Sequence, residues 1–145
     1  MKRLCLAVMV LLLFLSGCEQ VPSTYQFPNR NEEIISIELL SNYVEKTEDG
    51  VKYHFVVLQK LDKKEIPEFM DRVYQLETAR FYPPLRNYGK YIARITYANG
   101  DIELYGTSHI ELVEAGSTMS ALGIYYFPDN GMEHLILEFL GSSES

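Results

Sequence analysis

The spacing of apolar residues along the chain changes from two residues to about 3.6 residues and back, and each change predicts an element. The segments 34–40 and 51–58 are rich in β-branched and aromatic residues, and Glu48-Asp49-Gly50 between them is typical of a turn. Together they predict a hairpin. Alternation gives each strand one apolar face, formed by Ile35, Ile37 and Leu39 on the first strand and by Val51, Tyr53, Phe55 and Val57 on the second.

Two later segments carry apolar residues at helical spacing and predict amphipathic helices. The first begins near Asp62 or at Pro67, because proline fits the first turn of a helix, and it runs for three to four turns to about Thr78. The second follows Asp129-Asn130-Gly131 and ends at Gly141. The stripes consist of Ile66, Phe69, Met70, Val73 and Tyr74 in the first helix and of Met132, Leu135, Ile136, Phe139 and Leu140 in the second.

Asn99-Gly100, between segments 91–97 and 101–105, predicts a second hairpin with these two residues as a type I′ turn. That turn fixes which residues lie opposite one another. The pairs on the face toward the core are Tyr97 with Ile102 and Ile95 with Leu104, and the pairs on the other face are Arg94 with Tyr105 and Thr96 with Glu103.

Shorter strands at 110–112 and 122–127 complete the predicted sheet. The element order predicts an α+β fold, an antiparallel sheet of five to six strands with two amphipathic helices packed on one face. We expect a single domain over residues 32–141, followed by a frayed tail at 142–145.

The N-terminus has the parts of an export signal. Lys2 and Arg3 precede twelve uninterrupted apolar residues, Leu4–Leu15. As a helix these rise only about 18 Å, which is less than the hydrocarbon core of roughly 30 Å that a membrane span must cross. The segment therefore predicts a secretory signal. The residues that follow, Leu15-Ser16-Gly17-Cys18, resemble the lipobox of bacterial lipoproteins, in which the cysteine is diacylated and becomes the new N-terminus.

The resemblance implies removal of residues 1–17 and lipidation of Cys18, with an uncleaved anchor or an ordinary signal peptide as the alternatives. Several acyl chains on one residue would hold the protein at the bacterial cell membrane or outer membrane, facing the extracytoplasmic side. Glu19 is compatible with outer-membrane sorting by resemblance to the lipoprotein rule. Residues 18–31 would then form a flexible tether, unless Tyr25 and Phe27 pack onto the domain.

The composition excludes some classes of partner and chemistry. Thirteen Lys and Arg residues against 20 Asp and Glu residues give a formal charge of −7, which becomes −9 when Lys2 and Arg3 leave with the signal. This acidity argues against binding to nucleic acid or to anionic lipid head groups. Cys18 would be the only remaining cysteine and would carry lipid, so no disulfide or thiolate nucleophile is expected.

No residue pattern in the sequence predicts catalysis. The histidines His54, His109 and His134 form no metal-binding motif, although His109 with Glu111, and His134 with Glu138, could each supply two ligands. A nucleophile elbow and a glycine-rich phosphate loop are also missing from the sequence. We therefore expect no metal, no cofactor and no enzymatic activity.

The most distinctive feature is an aromatic stretch with two prolines, Phe81–Tyr91. Tyrosine and arginine are enriched at protein interfaces, and adjacent prolines lower the ordering cost of binding. The alternative is that these rings cover one end of the core. The predicted interaction residues are Phe81, Tyr82, Arg86, Tyr88 and Tyr91 in this stretch, with Arg94, Glu103 and Tyr105 on the outer face of the second hairpin.

These observations favour a membrane-anchored, noncatalytic domain that binds an envelope or extracellular protein. One alternative is a carrier of a small apolar ligand, with a pocket lined by Tyr53, Phe55, Tyr97 and Phe139. The other is an envelope hydrolase that uses His109 or His134 as its base.

Overall fold

A computed structural model describes residues 22–80, 88–107, 109–117 and 121–142. The elements, numbered in chain order, are β1 (Ile34–Thr47), β2 (Gly50–Lys60), α1 (Ile66–Val73), β3 (Ala79–Arg80), β4 (Tyr91–Tyr97), β5 (Ile102–Gly106), β6 (Ile110–Val113), β7 (Ala121–Tyr126), a 3₁₀ turn (Pro128–Asn130) and α2 (Gly131–Ser142). None of the helices in this part of the chain is long and apolar enough to cross a bilayer.

The described strands form one antiparallel sheet in the order β2-β1-β4-β5-β6-β7-β3. The antiparallel sheet with two helices confirms the predicted mixture of elements, but the sheet has seven strands where five to six were expected. The additional strand is β3, whose two residues pair with Tyr125 and Tyr126 of β7. A strand of two residues is too short to show an alternating pattern, so the sequence could not reveal it.

Both helices pack on one side of the sheet, which we call the helix face. The rings of Phe69 and Phe139 meet edge to face at 5.1 Å, and this contact joins the two helices. The buried cluster comprises, from the helices, Phe69, Met70, Val73, Met132, Leu135, Ile136 and Phe139, and from the rest of the domain Ile37, Leu39, Leu61, Ala93, Ile95, Tyr97, Tyr105, Ile110 and Phe127. The stripes predicted from helical spacing thus supply most of the helical side of the core.

Helix α1 is shorter than predicted, since its eight residues end at Val73 rather than near Thr78. Pro67 lies in its first turn, and the Asp62 N–H donates to the Glu65 carboxylate at 2.7 Å, just before the helix. After Val73 the backbone hydrogen bonds span three residues instead of four, as from the Leu76 N–H to the Val73 carbonyl. The chain then rejoins the sheet as β3. Helix α2 occupies the predicted region and includes Ser142, which was expected to be frayed.

The first hairpin is confirmed, with Thr47 paired to Gly50 around Glu48 and Asp49. Both strands extend beyond the predicted segments. The sheet pairing is irregular between Ile34 and Ser36, and Ile35 is exposed rather than buried beside Ile37 and Leu39. A second irregularity, between Leu39 and Leu40, affects β2. The β2 residues that oppose Leu40, Asn42, Val44 and Lys46 are Val57, Phe55, Tyr53 and Val51, and they lie on the face of the sheet opposite the helices, which we call the outer face.

The register predicted for the second hairpin is wrong by one residue. The structure pairs Thr96 with Ile102 and Ile95 with Glu103. The Tyr97 N–H donates to the Asp101 carbonyl at 3.0 Å, so the loop between these two residues has three residues, 98–100. The Gly100 N–H donates to the Tyr97 carbonyl at 3.0 Å, and Gly100 has a φ of +92°, which glycine adopts without strain. A loop of three residues ending in such a glycine is the next most common hairpin connection after the two-residue turn.

This slip exchanges the two faces of β5. Side chains alternate along a strand, so a shift by one residue moves each of them to the opposite face. Glu103 and Tyr105 were predicted on the outer face beside Arg94, but both are fully buried on the helix face. Ile102 and Leu104, which were predicted in the core, are instead only partly buried.

The segment before β1 packs against the domain. Tyr25 and Phe27 contact the core cluster, and Asn29 is buried. The Tyr25 N–H donates to the Thr78 hydroxyl at 2.9 Å, and the Tyr125 hydroxyl donates to the Pro22 carbonyl at 2.9 Å. Within the described part of the predicted tether, residues 22–31, Tyr25 and Phe27 thus pack onto the domain, and residues 18–21 lie outside the described residues.

Candidate functional site

The two faces of the sheet carry different groups of polar residues, and the predicted interaction residues that the structure describes divide between these faces. The helix face buries a carboxylate among tyrosines, the outer face carries a histidine and an ion pair, and the hairpin of β1 and β2 extends apolar side chains into solvent. Phe81, Tyr82, Arg86 and Cys18 lie outside the described residues.

The buried carboxylate belongs to Glu103. Oε2 of this residue accepts hydrogen bonds from the Tyr97 hydroxyl at 3.0 Å and from the Tyr105 hydroxyl. Oε1 accepts from the Tyr25 hydroxyl and from the Asn29 amide, both at 3.2 Å. Four donors from three separate segments therefore converge on one side chain.

Burial has the largest effect on the ionisation of this group. It raises the pKa of Glu103, although the hydrogen bonds from Tyr97, Asn29 and Tyr25 act in the opposite direction. Burial, followed by the nearby charge of Glu103, also raises the pKa values of Tyr25 and Tyr97. Tyr25 and Tyr97 thus remain neutral donors. The arrangement ties the N-terminal segment to β4 and β5, which is a structural role rather than a surface for a partner.

The outer face carries a second cluster, centred on Tyr88. Its ring meets those of Tyr53, Phe55 and His109 edge to face at 5.5, 5.3 and 4.8 Å. Its hydroxyl donates to the Glu111 carboxylate, whose Oε2 lies 3.6 Å from Nε2 of His109. His109 and Glu111 therefore share one strand face, as their spacing predicted.

The position of His109 does not favour its use as a catalytic base. Its side chain is only 3% exposed, so the ring does not face solvent. His134 is exposed on α2. The described residues include no group of three or more His, Cys, Asp or Glu side chains that could hold a metal ion.

Of the four residues predicted on the outer face of the second hairpin, Arg94 and Thr96 lie on that face. Nε and Nη2 of Arg94 donate to the Glu38 carboxylate on β1 at 2.8 and 2.5 Å. The guanidinium is thus held by a neighbouring strand. Tyr91, by contrast, packs toward the helix-face core beneath the Lys90 ammonium, so it does not share a surface with Tyr88.

The pocket predicted for an apolar ligand is not formed by its four residues. Tyr53 and Phe55 contact Tyr88 on the outer face, whereas Tyr97 and Phe139 belong to the core on the helix face. The sheet separates the two pairs. Their aromatic character was visible in the sequence, but the face of β2 depends on an irregularity that the sequence does not mark.

Within the ranges that the structure describes, the largest apolar exposure lies on residues 43–58 of the first hairpin, which we call the arm. Among the described residues, the exposed large hydrophobic side chains outside the arm are Ile35 and Leu137. Those on the arm are Tyr43, Val44, Val51, Phe55, Val56, Val57 and Leu58. Sequence analysis missed this surface, because it interpreted alternation on β2 as burial of one face.

The arm also forms one edge of the sheet. Strand β2 is the outermost strand, and no strand in the described part of the chain pairs with its outer side. The N-terminal segment is fixed elsewhere, since Pro22 is bound beside β7. Five strand spacings, about 24 Å, separate β7 from β2. No protein-family model, curated protein or solved structure matches this chain.

Proposed function

We propose that this protein is a lipid-anchored extracytoplasmic domain that binds protein partners through the arm and catalyses no reaction. The observation that carries the proposal is the concentration of exposed apolar side chains on the arm. Soluble monomers seldom expose large contiguous apolar patches, and those that do occur commonly mark interaction sites. An edge strand adds backbone groups that can pair with an incoming strand.

The proposed anchor is supported by the sequence of the first 18 residues. A basic start, an apolar stretch too short to span a membrane and Leu15-Ser16-Gly17-Cys18 follow one another in the order of a lipoprotein signal. Two or more acyl chains at Cys18 give the multiple-chain anchoring that a single chain cannot.

The packing of the N-terminal segment supports an attachment point at a distance from the arm. Only four residue steps separate Cys18 from Pro22, so this part of the chain reaches about 14 Å at most. Since Pro22 is bound beside β7, the lipid would be held at the side of the sheet away from the arm. The arm is then free to meet a protein.

The proposal is tested by photo-crosslinking in the native membrane with the full chain. A photoreactive phenylalanine analogue replaces Val56 on the arm, and a matched variant carries it at Leu137, which is similarly exposed but lies on α2. We expect a covalent protein adduct from position 56 and none from position 137. Absence of any adduct from the arm overturns the binding surface.

The anchor has its own test. Intact mass of the membrane-extracted protein should show cleavage before Cys18 and the added mass of acyl chains, and Cys18→Ser should abolish both. Natively expressed protein with an unmodified Cys18 overturns the proposed location, whatever the crosslinking shows.

A further inference from the structure

Each contact that holds the segment before β1 involves at least one side chain. We call residues 22–31 the strap. In the described part of the chain, no backbone–backbone hydrogen bond joins the strap to a strand or helix. The Tyr25 N–H and the Pro22 carbonyl bind hydroxyl groups instead, those of Thr78 and Tyr125. The strap can therefore leave the domain without breaking a strand ladder.

The backbone of the strap is strained at Phe27. Its φ is +47°, in the left-handed region that a residue with a β-carbon enters only at a cost in free energy. Edge-to-face contacts of its ring with Tyr74 and Tyr105, at 5.1 and 6.1 Å, hold it in this conformation. Side-chain packing thus opposes backbone strain, and any loss of the packing favours release of the strap.

The polar contacts of the strap converge on one ionisable side chain. The Tyr25 hydroxyl and the Asn29 amide both donate to Oε1 of Glu103, each at 3.2 Å. Oε2 of the same carboxyl accepts its hydrogen bonds from within the sheet, from Tyr97 and Tyr105. One oxygen of Glu103 therefore binds the strap, and the other binds the sheet.

The other groups around Glu103 give its charge no counter-ion. Among the described residues, no basic side chain forms an ion pair with this carboxyl. Tyr74, directly after α1, faces the cluster, since burial and then the charge of Glu103 raise its pKa. The Arg30 guanidinium belongs to the strap itself and lies 4.7 Å from the centre of the Tyr74 ring. Helix α2 adds apolar residues to the adjoining core.

We propose that the strap is a pH-dependent device, which binds the domain while Glu103 is protonated and detaches when Glu103 ionises. In the protonated form, the carboxyl O–H donates to a tyrosine hydroxyl, which can accept as well as donate, so no side chain has to move. In the released form the sheet and the helices stay folded, because Tyr97 and Tyr105 still donate to Oε2.

The direction of the effect follows from the balance of burial and hydrogen bonding at Glu103. Burial is the largest influence on its pKa and raises it, while hydrogen bonds from Tyr97, Asn29 and Tyr25 lower it. Release of the strap replaces two of these donors by water and removes part of the burial, so the pKa falls toward its ordinary value. Ionisation therefore favours release, and the strap is bound at low pH and lost as the pH rises.

Release would also change the reach of the proposed anchor. With the strap bound, Cys18 lies four residue steps from Pro22, which span about 14 Å at most. With the strap released, sixteen steps separate Cys18 from Ile34, and these span about 55 Å at most. This consequence rests on the proposed function, whereas release of the strap does not.

Tryptophan fluorescence of the full chain in detergent tests the release. The sequence contains no tryptophan, so Phe27→Trp places a single reporter in the strap, and Phe139→Trp places a matched reporter in the core. Between pH 4 and 8, the emission from position 27 should shift to that of an exposed indole, while the emission from position 139 stays that of a buried one. Glu103→Gln has nearly the same size and does not ionise, so it should abolish the shift at position 27.

The steepness of the transition is also fixed. One proton changes the equilibrium constant for release by at most about tenfold per pH unit. An emission from position 27 that does not change with pH, or a shift that persists with Glu103→Gln, overturns the proposal. A shift at both positions also overturns it, because it reports unfolding of the whole domain.

Hydrogen exchange of the unsubstituted full chain, followed by mass spectrometry, keeps the test decisive if tryptophan does not fit at position 27. Exchange rates are divided by the intrinsic rates at each pH. Protection of residues 22–31 should fall by up to about tenfold per pH unit as Glu103 ionises, while protection of β4 stays constant. Strap protection that does not change with pH overturns the proposal. Neither measurement uses a membrane or a partner, so failure of the proposed function leaves both results valid.

Discussion

Replacing Glu103 with leucine should destabilise the domain because it leaves buried donors without an acceptor. The carboxylate accepts from the hydroxyls of Tyr25, Tyr97 and Tyr105 and from the amide of Asn29. Leucine is of similar size but accepts no hydrogen bond. Tyr97, Tyr105 and Asn29 are each at most 5% exposed, so water cannot replace the lost acceptor without a change of structure.

The magnitude follows from the number of orphaned donors. Each buried donor left unsatisfied costs about 1–3 kcal/mol. Three such groups, taken at the low end because removal of the buried charge offsets part of the loss, give a decrease of about 3 kcal/mol in the free energy of unfolding. For a domain of this size that corresponds to a decrease of roughly 12 °C in Tm.

The assay is urea unfolding of a double-mutant cycle, followed by circular dichroism. In the unsubstituted protein, Tyr97→Phe should cost about 1 kcal/mol because it removes a hydrogen bond to the carboxylate. In the Glu103→Leu background the same change should stabilise by about 1 kcal/mol, since it removes a hydroxyl that has no acceptor. The sign of the effect therefore reverses between the two backgrounds.

A Tyr97→Phe effect that is equal in the two backgrounds would refute the reasoning, because it would mean that the hydroxyl and the carboxylate are not coupled. If Glu103→Leu alone does not fold, the triple variant that also carries Tyr97→Phe and Tyr105→Phe keeps the test decisive. Its core is apolar at all three positions, so we expect it to recover a cooperative transition. Failure of the triple variant to fold would contradict the account equally.

Three further outcomes are expected from the same structure. Burial raises the pKa of Glu103 above its unfolded value of about 4.3. The contribution of Glu103 to stability is therefore largest below that pH and declines as the pH rises through the folded pKa. In urea unfolding between pH 4 and 8, the unsubstituted protein should lose stability relative to Glu103→Gln as the pH rises. Gly106→Ala should cost about 2 kcal/mol because its methyl group would lie 2.3 Å from the Tyr88 carbonyl, whereas Gly141→Ala, which meets nothing within 4 Å, should be neutral or stabilising in thermal unfolding. Phe27→Ala should lower the free energy of unfolding by about 1–2 kcal/mol, as a half-buried ring that packs on the core would, and no change would contradict packing of the N-terminal segment.

The sequence predicted the parts of the fold that depend on the regular spacing of apolar residues. The stripes of both helices are buried where the 3.6-residue spacing placed them, for example at Phe69 and Phe139. Ile37 and Ile95 are likewise buried on the predicted face of their strands. Periodicity reports burial directly, because each of these elements has one continuous apolar side.

The incorrect predictions for the second hairpin arose because one additional loop residue shifts the strand register and so exchanges the two faces of β5. Asn99-Gly100 is compatible with two loop lengths, and the longer loop buries Glu103 and Tyr105 instead of exposing them. A carboxylate at a core position contradicts the hydrophobic pattern, so the pattern favoured the shorter loop. The observed register satisfies this carboxylate with several donors, one of which, Tyr25, is distant in sequence and could not be read from the local pattern.

The candidate surface could not be predicted for a related reason. The β2 residues were interpreted as half-buried because alternating apolar residues usually are. The arm instead extends beyond the two helices, so Val56 on the helix face and Val57 on the outer face are both exposed. How far a strand projects past its neighbours is a property of the assembled sheet, and no local spacing encodes it.

The buried Glu103 and the exposed arm together define how the proposed anchor would present the domain. By holding Tyr25 and Asn29, the carboxylate fixes the chain that leads to Pro22 beside β7, so the position of the proposed anchor would depend on a core residue. Weakening this network should lengthen the effective tether without altering the arm. Glu103→Leu should therefore reduce stability while the crosslink from position 56 of the arm persists in the fraction that remains folded, because β2 lies about 24 Å from β7, beside which the proposed anchor would be held.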